Sequence, residues 1–248
     1  MATDDDGLTT KQARRTAMID GDFPGGNIIV HRVEGNDVHL SPDQRDSSRW
    51  WFYWYFRARA AGGRTLTFHF EGNDPIGVLG PACSTDGGLS WRWMGAKAAK
   101  DGSFRYHLDP RVGEARFCFA VPYLEGNLQA FLKHWAGNTA LAVGELCRSS
   151  KGRTVEYLRA GRLDGQAPLR VLLTARHHAC EMMASYALEG MIQAMLAGTQ
   201  DGRWFRRNVE LLAIPFVDKD GVEDGDQGKL RRPRDHNRDY GGESIHPS

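Results

Sequence analysis

His178 and Glu181 are side chains of the kind that bind metal ions, and they lie three positions apart between segments of different periodicity. The apolar run of residues 169–173 predicts a strand buried on both faces. From Met183 onward, apolar residues recur at helical spacing, which predicts a helix that ends before Gly198. His178 would then lie at the carboxyl end of a strand, the edge at which open α/β sheets bind ligands. An imidazole and a carboxylate suit Zn²⁺, although such a pair also occurs where the two residues merely begin a helix.

A second group of polar residues follows another apolar segment, residues 209–217, which predicts a strand. Asp220-Gly221 predicts a turn after it, and a loop rich in Asp, Gly and Arg then ends in Asn237-Arg238. Arginine holds a carboxylate with a planar two-donor fork, and asparagine adds a neutral donor. Taken alone, this loop is typical of a solvated surface segment.

The order of these pieces resembles the zinc carboxypeptidases of the funnelin type, and within them the cytosolic carboxypeptidase branch and its bacterial relatives. The matching pieces are residues 178–181, residues 218–222 and residues 235–240. The middle piece commonly reads Asn-Pro-Asp-Gly in that family, so Asp218 and Lys219 depart from the common form at a predicted turn.

The likeness extends upstream and covers roughly residues 25–248. Residues 49–56 read RWWFYWYF, like the aromatic strand of the β-sandwich that precedes the catalytic domain in cytosolic carboxypeptidases. The resemblance implies an α/β protein in which an N-terminal antiparallel β-sandwich, residues 25–148, follows a disordered or loosely ordered N-terminus, residues 1–24. Residues 149–248 would form the first part of a carboxypeptidase-type α/β domain with a mixed sheet, apparently incomplete.

For the site, the resemblance implies that His178 and Glu181 bind zinc. It implies that Asn237 and Arg238 hold the terminal carboxylate of a peptide substrate. An arginine between the two motifs usually polarises the scissile carbonyl in the family.

Three arginines compete for that role: Arg231, Arg232 and Arg234, of which Arg231 and Arg232 are preferred. His177 is a rival ligand, but adjacent strand residues point to opposite faces, and the three-residue step to the glutamate favours its neighbour. His236 is expected to be structural, and His246 to be a turn residue.

In the family the third zinc ligand is a histidine in a later strand and the general base is a later glutamate, so the resemblance places both beyond Ser248. The expectation is a zinc metallocarboxypeptidase represented by a fragment, or by a naturally short relative. These 248 residues are expected to bind zinc weakly and not to hydrolyse peptides, because an ion with two ligands lacks its third anchor.

Two other functions remain open: a zinc deacylase or amidohydrolase of the aspartoacylase kind, and a non-catalytic binding module built on the sandwich. The upstream aromatic segment favours the carboxypeptidase. A net charge of +1 suggests neither a nucleic-acid nor a membrane partner. Four widely spaced cysteines and an N-terminus without an apolar core predict a reduced, cytoplasmic protein. The resemblance implies that its partner is the C-terminus of a peptide or protein.

Overall fold

The computed structural model describes residues 17–59 and 63–248, and the chain within it divides into two compact units. The first unit contains the residues up to Gln44 together with Trp50–Val121, and the second contains Arg45–Arg49 together with Pro122–Ser248. The division after residue 121 comes earlier than the boundary near residue 148 that the sequence predicts. The reason is that the strand ending at Arg148 pairs with the next strand of the second unit.

The first unit is built from short strands. Within the described residues they are β1 (Met18–Asp20), β2 (Ile29–Glu34), β3 (Asp37–Ser41), β4 (Tyr55–Arg59), β5 (Arg64–Phe70), β6 (Ala82–Ser84), β7 (Arg92–Trp93), β8 (Ala99–Lys100), β9 (Ser103–Leu108) and β10 (Ala115–Cys118). They form two five-stranded sheets, in the orders β1-β4-β10-β6-β7 and β2-β3-β5-β9-β8. Of the predicted loosely ordered N-terminus, residues 1–16 lie outside the described residues, whereas β1 pairs with β4.

One pairing departs from the predicted antiparallel arrangement. β3 and β5 run parallel, because the strand between them in sequence, β4, belongs to the other sheet and returns the chain to its starting direction. The other pairings of these two sheets are antiparallel. The second of the two sheets is therefore mixed.

Aromatic side chains from both sheets meet in one core. Trp54 and Phe56 from the aromatic-rich segment are fully buried, and Phe68, Phe104 and Phe117 pack against them. Large apolar side chains of this kind stabilise a core by roughly 1.5–3 kcal/mol each. The second half of the aromatic segment, residues 53–56, is thus buried, whereas Trp50 is exposed.

The second unit contains a four-stranded sheet and several helices. Its elements within the described residues are α1 (Glu125–His134), β11 (Leu141–Arg148), β12 (Thr154–Gly161), β13 (Leu169–Thr174), α2 (Met182–Leu196), α3 (Gln200–Asn208), β14 (Val209–Ile214), α4 (Lys219–Asp224) and a 3₁₀ turn (His236–Arg238). The strand order is β11-β12-β14-β13, with β13 and β14 parallel and the other pairs antiparallel. The predicted α/β class with a mixed sheet is therefore confirmed.

The sheet of the second unit has an exposed edge at β13. Leu169, Val171 and Leu172 are 50%, 39% and 62% exposed, so the prediction that this strand is buried on both faces is wrong. The strand lies at the end of the strand order and, within the described residues, pairs with β14 alone. The neighbouring Leu211 and Ala213 of β14 are buried in the core of the unit.

Helix α2 forms where the sequence predicts it, with a different buried face. Leu188, Ile192 and Met195 pack into the core, whereas Met183 and Met191 are exposed. Apolar residues at helical spacing from Met183 are therefore divided between the buried face and the exposed face of the helix. None of the helices in residues 17–59 and 63–248 has the length and apolarity needed to cross a membrane.

The parallel pair positions the polar residues of the chain. β13 and β14 end at the same edge, with Thr174 beside Ile214 in register. The chain that leaves β13 reaches His178 before α2 begins, and the chain that leaves β14 reaches Asp218 before α4 begins. Carboxyl ends of parallel strands are the edge at which α/β sheets bind ligands.

Candidate metal centre

His178 is buried in the loop between β13 and α2, with 3% of its surface exposed. Its Nδ1 lies 2.8 Å from Oε1 of Glu181, the residue that precedes the first turn of α2. The spacing of the motif therefore brings an imidazole nitrogen and a carboxylate oxygen together. At this separation the two groups share a hydrogen bond.

The other nitrogen of the same ring faces a second carboxylate. Nε2 of His178 lies 3.2 Å from Oδ1 of the buried Asp235 and 3.1 Å from Nδ2 of Asn237. A histidine that binds a metal usually donates its remaining N–H to a carboxylate, which fixes the tautomer and the ring orientation. Asp235 is placed to do this. The sequence gives one cue for it: Asp235 is two positions before Asn237 in the last of the three matching pieces.

Both ring nitrogens of His178 thus face carboxylate oxygens. The hydrogen bond to Glu181 raises the pKa of His178 above its ordinary value, against the opposing effect of burial, and the same bond lowers the pKa of Glu181. Burial raises the pKa of Asp235, but backbone N–H donors from Leu230 and Asn237 and the nearby histidine bring it below its ordinary value. A cation between Nδ1 and Oε1 would take the place of the shared proton, so this donor pair fits Zn²⁺.

The described residues provide two donors of the expected kinds and no larger ligand set. Across residues 17–59 and 63–248, no group of three or more His, Cys, Asp or Glu side chains is arranged to hold a metal ion. Lys229 adds a positive charge near the pair, and this charge lowers the pKa of both His178 and Glu181.

The rival histidines have other partners. Nε2 of His177 lies 2.5 Å from the hydroxyl of Tyr240, and burial lowers the pKa of this histidine. His236 is buried and stacks on His246 with ring centroids 3.6 Å apart. Burial lowers the pKa of His236 to about 3, so this ring is neutral.

Arg231 is enclosed by carboxylates. Its guanidinium donates to Asp226 at 2.9 Å and to Asp218 at 2.5 Å, and Asp46 lies 3.7 Å away. Burial raises the pKa of Asp218 to about 6 even though the arginine opposes this shift. A guanidinium held in this way is poorly placed to polarise a substrate carbonyl.

The two neighbouring arginines differ from it. Arg232 is exposed, so of the two preferred arginines it is the one open to solvent. Arg234 donates to Asp239 at 2.7 Å and to the carbonyl of Glu243 at 2.7 Å.

Asn237 and Arg238 are exposed on the short 3₁₀ turn. Asp235 begins this turn, and its side chain accepts from the backbone N–H of Asn237 at 2.9 Å. The same aspartate therefore contacts the His178 ring and fixes the backbone of the turn. The imidazole and the Asn-Arg pair, distant in sequence, are brought together by it.

Asp218 and Lys219 do not lie in the turn that the sequence predicts. Asp218 precedes α4 and accepts from the backbone N–H of Gly221 at 2.9 Å, so Asp220 and Gly221 are helical. An aspartate at this position stabilises a helix start by about 1 kcal/mol. Lys219 is buried and its ammonium donates to Glu156 at 2.9 Å.

The chain is similar to known proteins in sequence and in fold. The sequence model of the family described as zinc carboxypeptidase matches residues 129–242. An uncharacterised protein of Zymomonas mobilis is 24% identical over 212 residues, which cover 83% of this chain and 54% of the relative. Cytosolic carboxypeptidase 2 of Danio rerio is 27% identical over 168 residues, which cover 62% of this chain and 23% of the relative. The chain thus spans about half the length of the first relative and less of the second.

Two solved structures share the fold. A metallo-carboxypeptidase from Burkholderia cenocepacia superposes with a TM-score of 0.73 at 23% identity, over 86% of this chain and 59% of that one. A metallo-carboxypeptidase from Pseudomonas aeruginosa gives a TM-score of 0.68 at 23% identity, over 85% of this chain and 58% of that one. At these identities the likeness establishes the fold.

Proposed function

Because residues 129–242 of the chain belong to the zinc carboxypeptidase family, we propose that the protein takes part in zinc-dependent removal of C-terminal residues from peptides or proteins. The observation that supports this proposal is the environment of one imidazole: His178 faces Glu181 through Nδ1 and Asp235 through Nε2. That arrangement is typical of a metal-binding histidine held by a carboxylate. A bound zinc ion would polarise the scissile carbonyl and acidify a water molecule.

The residues of the chain have separate roles in this proposal. His178 and Glu181 hold the ion, and Asp235 keeps the imidazole in the Nε2–H tautomer. Asn237 and Arg238 would bind the terminal carboxylate and so fix the position of the last peptide bond. Of the two arginines preferred for the carbonyl, Arg231 is occupied by carboxylates, which leaves the exposed Arg232.

The number of protein ligands to zinc limits the metal affinity and the activity expected of this chain alone. Two protein ligands are assigned within the described residues, and a catalytic zinc site uses three. We therefore expect the 248-residue chain to bind zinc weakly and not to turn over peptides. The activity of the whole protein, a peptide or protein C-terminus as its partner and a cytoplasmic location belong to the same proposal.

The first experiment measures zinc affinity by competition with a chromophoric chelator. His178→Ala should abolish zinc binding because it removes the nitrogen ligand. His177→Ala is the matched control, since it removes an adjacent imidazole whose partner is Tyr240, and it should leave the affinity unchanged. Equal zinc binding by both variants would contradict the assignment of the ligands.

The second experiment separates the carboxypeptidase from the deacylase. The zinc-loaded chain is titrated with a peptide that has a free C-terminus and with the same peptide amidated, and binding is followed by intrinsic tryptophan fluorescence. The free acid should bind at least tenfold more tightly, because Arg238 needs a carboxylate. Equal binding would move the proposal to a deacylase. Robust cleavage by this chain would show that a third ligand lies within it, with His236 and His246 as the candidates.

A further inference from the structure

A short segment from the first part of the sequence, Arg45–Arg49, belongs to the second unit. Arg45 donates to the carbonyls of Asp224 at 2.7 Å and Gly225 at 3.0 Å, where α4 ends. Ser48 donates its backbone N–H to the carbonyl of Leu230 at 3.1 Å. The segment therefore runs along the loop of residues 225–232, which connects α4 to the Asp235 turn.

Asp46 makes the central contacts of this segment. Its carboxylate accepts the backbone N–H of Gln227 at 2.9 Å and that of Gly228 at 2.8 Å. Its own carbonyl accepts the backbone N–H of Arg232 at 2.9 Å. A carboxylate that accepts backbone N–H groups forms charge-assisted bonds, which are stronger than neutral ones. One aspartate thus holds both ends of the loop.

The held loop lies directly against the backbone of His178. A Cβ atom added to Gly228 would lie 2.7 Å from Cα of His178 and 2.3 Å from the nitrogen of Ala179, and φ of Gly228 is +79°. Cys180 also donates its backbone N–H to the carbonyl of Gln227 at 3.2 Å. There is no space between the loop and the histidine turn, so a shift of one requires a shift of the other.

A second path reaches the ring itself. Leu230, whose carbonyl is held by Ser48, donates its backbone N–H to Oδ2 of Asp235 at 2.9 Å. The other oxygen of Asp235 faces Nε2 of His178. The backbone of the loop therefore also orients the carboxylate that orients the imidazole.

We infer that Asp46 is a positioning residue for the candidate metal centre: it acts through the backbone of Gln227–Leu230 on the orientation of the His178 ring. The inference rests on the proposed function only in its zinc-binding consequence. Its structural consequence, a fixed imidazole, holds for the metal-free chain as well.

The test compares three variants of the 248-residue chain. Asp46→Ala removes both charge-assisted bonds of the carboxylate, whereas Asp46→Asn keeps one acceptor oxygen and turns the other into a donor. Asp86→Ala is the matched control, because Asp86 also accepts backbone N–H groups, from Leu89 at 3.0 Å and Ser90 at 3.0 Å, in the other unit. Thermal unfolding shows that each variant folds.

The first readout is the ¹⁵N chemical shifts of the His178 ring in the metal-free chain, which report its tautomer and protonation. Asp46→Ala should change them toward those of a solvated histidine, Asp46→Asn should change them less, and Asp86→Ala should leave them unchanged. Unchanged ring shifts in folded Asp46→Ala would overturn the inference. If Asp46→Ala does not fold, the same comparison is made between Asp46→Asn and Asp86→Ala, and unchanged shifts in Asp46→Asn would then overturn it.

The second readout is zinc affinity. Residues that orient a metal-binding histidine typically change metal affinity by about ten- to a hundredfold when replaced, and Asp46→Ala should weaken zinc binding within that range. Should the wild-type chain bind no zinc while the ring shifts respond to Asp46→Ala, the proposed function fails and the positioning role stands. Weaker binding in Asp86→Ala of the same size would assign the effect to general destabilisation and overturn the role.

Discussion

Arg231 and Arg238 lie on one loop, seven positions apart, and have opposite surroundings. Arg231 is partly buried among Asp218, Asp226 and Asp46, whereas Arg238 is exposed on the 3₁₀ turn. Both belong to a polar stretch in which every arginine is a plausible ligand for a carboxylate. The carboxylates of the chain itself thus occupy Arg231, whereas Arg238, the arginine proposed to bind a substrate carboxylate, is exposed.

Arg231 is expected to contribute to stability, and Arg238 to binding. The partly buried Arg231 guanidinium has two direct carboxylate partners, and its removal leaves the charge of the buried Asp218 uncompensated. An exposed arginine contributes little to folding. Replacing Arg231 should therefore lower the free energy of unfolding, whereas replacing Arg238 should weaken the binding of a free-acid peptide.

The largest effect is expected for Arg231→Ala. Breaking a buried ion pair by removing one partner costs about 3–5 kcal/mol, so the free energy of unfolding should fall by about that amount. Urea unfolding followed by circular dichroism measures it, with Arg232→Ala, an exposed neighbour, as the control that should change stability by less than about 0.5 kcal/mol. Equal losses in the two variants would show that the carboxylates do not depend on Arg231.

Arg238→Ala should have the next largest effect, and in binding. Loss of a charge-assisted contact to a carboxylate costs about 1.5–3 kcal/mol, which is roughly ten- to a hundredfold in the dissociation constant of a free-acid peptide. The free energy of unfolding should stay within about 0.5 kcal/mol of wild type. The amidated peptide serves as the control, since its weak binding should not change. If Arg238→Ala lost stability and kept its preference for the free acid, Arg238 would contribute to folding and not to substrate binding.

A smaller effect is expected for Asn237→Ala. A neutral hydrogen bond is worth about 1 kcal/mol, so binding of the free-acid peptide should weaken about fivefold. The same titration measures it, and the affinity for zinc provides a second reading because Asn237 also lies 3.1 Å from Nε2 of His178. A loss larger than that of Arg238→Ala would make asparagine the main carboxylate ligand.

The sequence predicts local features of the site well. The change from an apolar run to helical spacing indicates a strand and a helix on either side of His178, and the three-residue step correctly brings Glu181 to the imidazole. These features depend on neighbours in the chain, which a periodicity can report.

Features that depend on distant residues were not predictable. The contact of Asp46 with the Gln227–Gly228 backbone joins parts of the chain about 180 positions apart, and no pattern indicates it. The exposure of Leu172 depends on how many strands flank β13, which is a property of the sheet. The environment of Arg231 likewise depends on which carboxylates the fold brings to it.

The placement of Arg45–Arg49 makes the second unit discontinuous in sequence. A gene cut at residue 122 would separate the loop of residues 225–232 from the aspartate that holds it, even though the cut falls between compact units. The two units are therefore not interchangeable modules. A recombination event that exchanged residues 1–121 for an unrelated sequence would also remove Asp46, and would keep the loop of residues 225–232 in place only if the incoming sequence carried an equivalent of this aspartate.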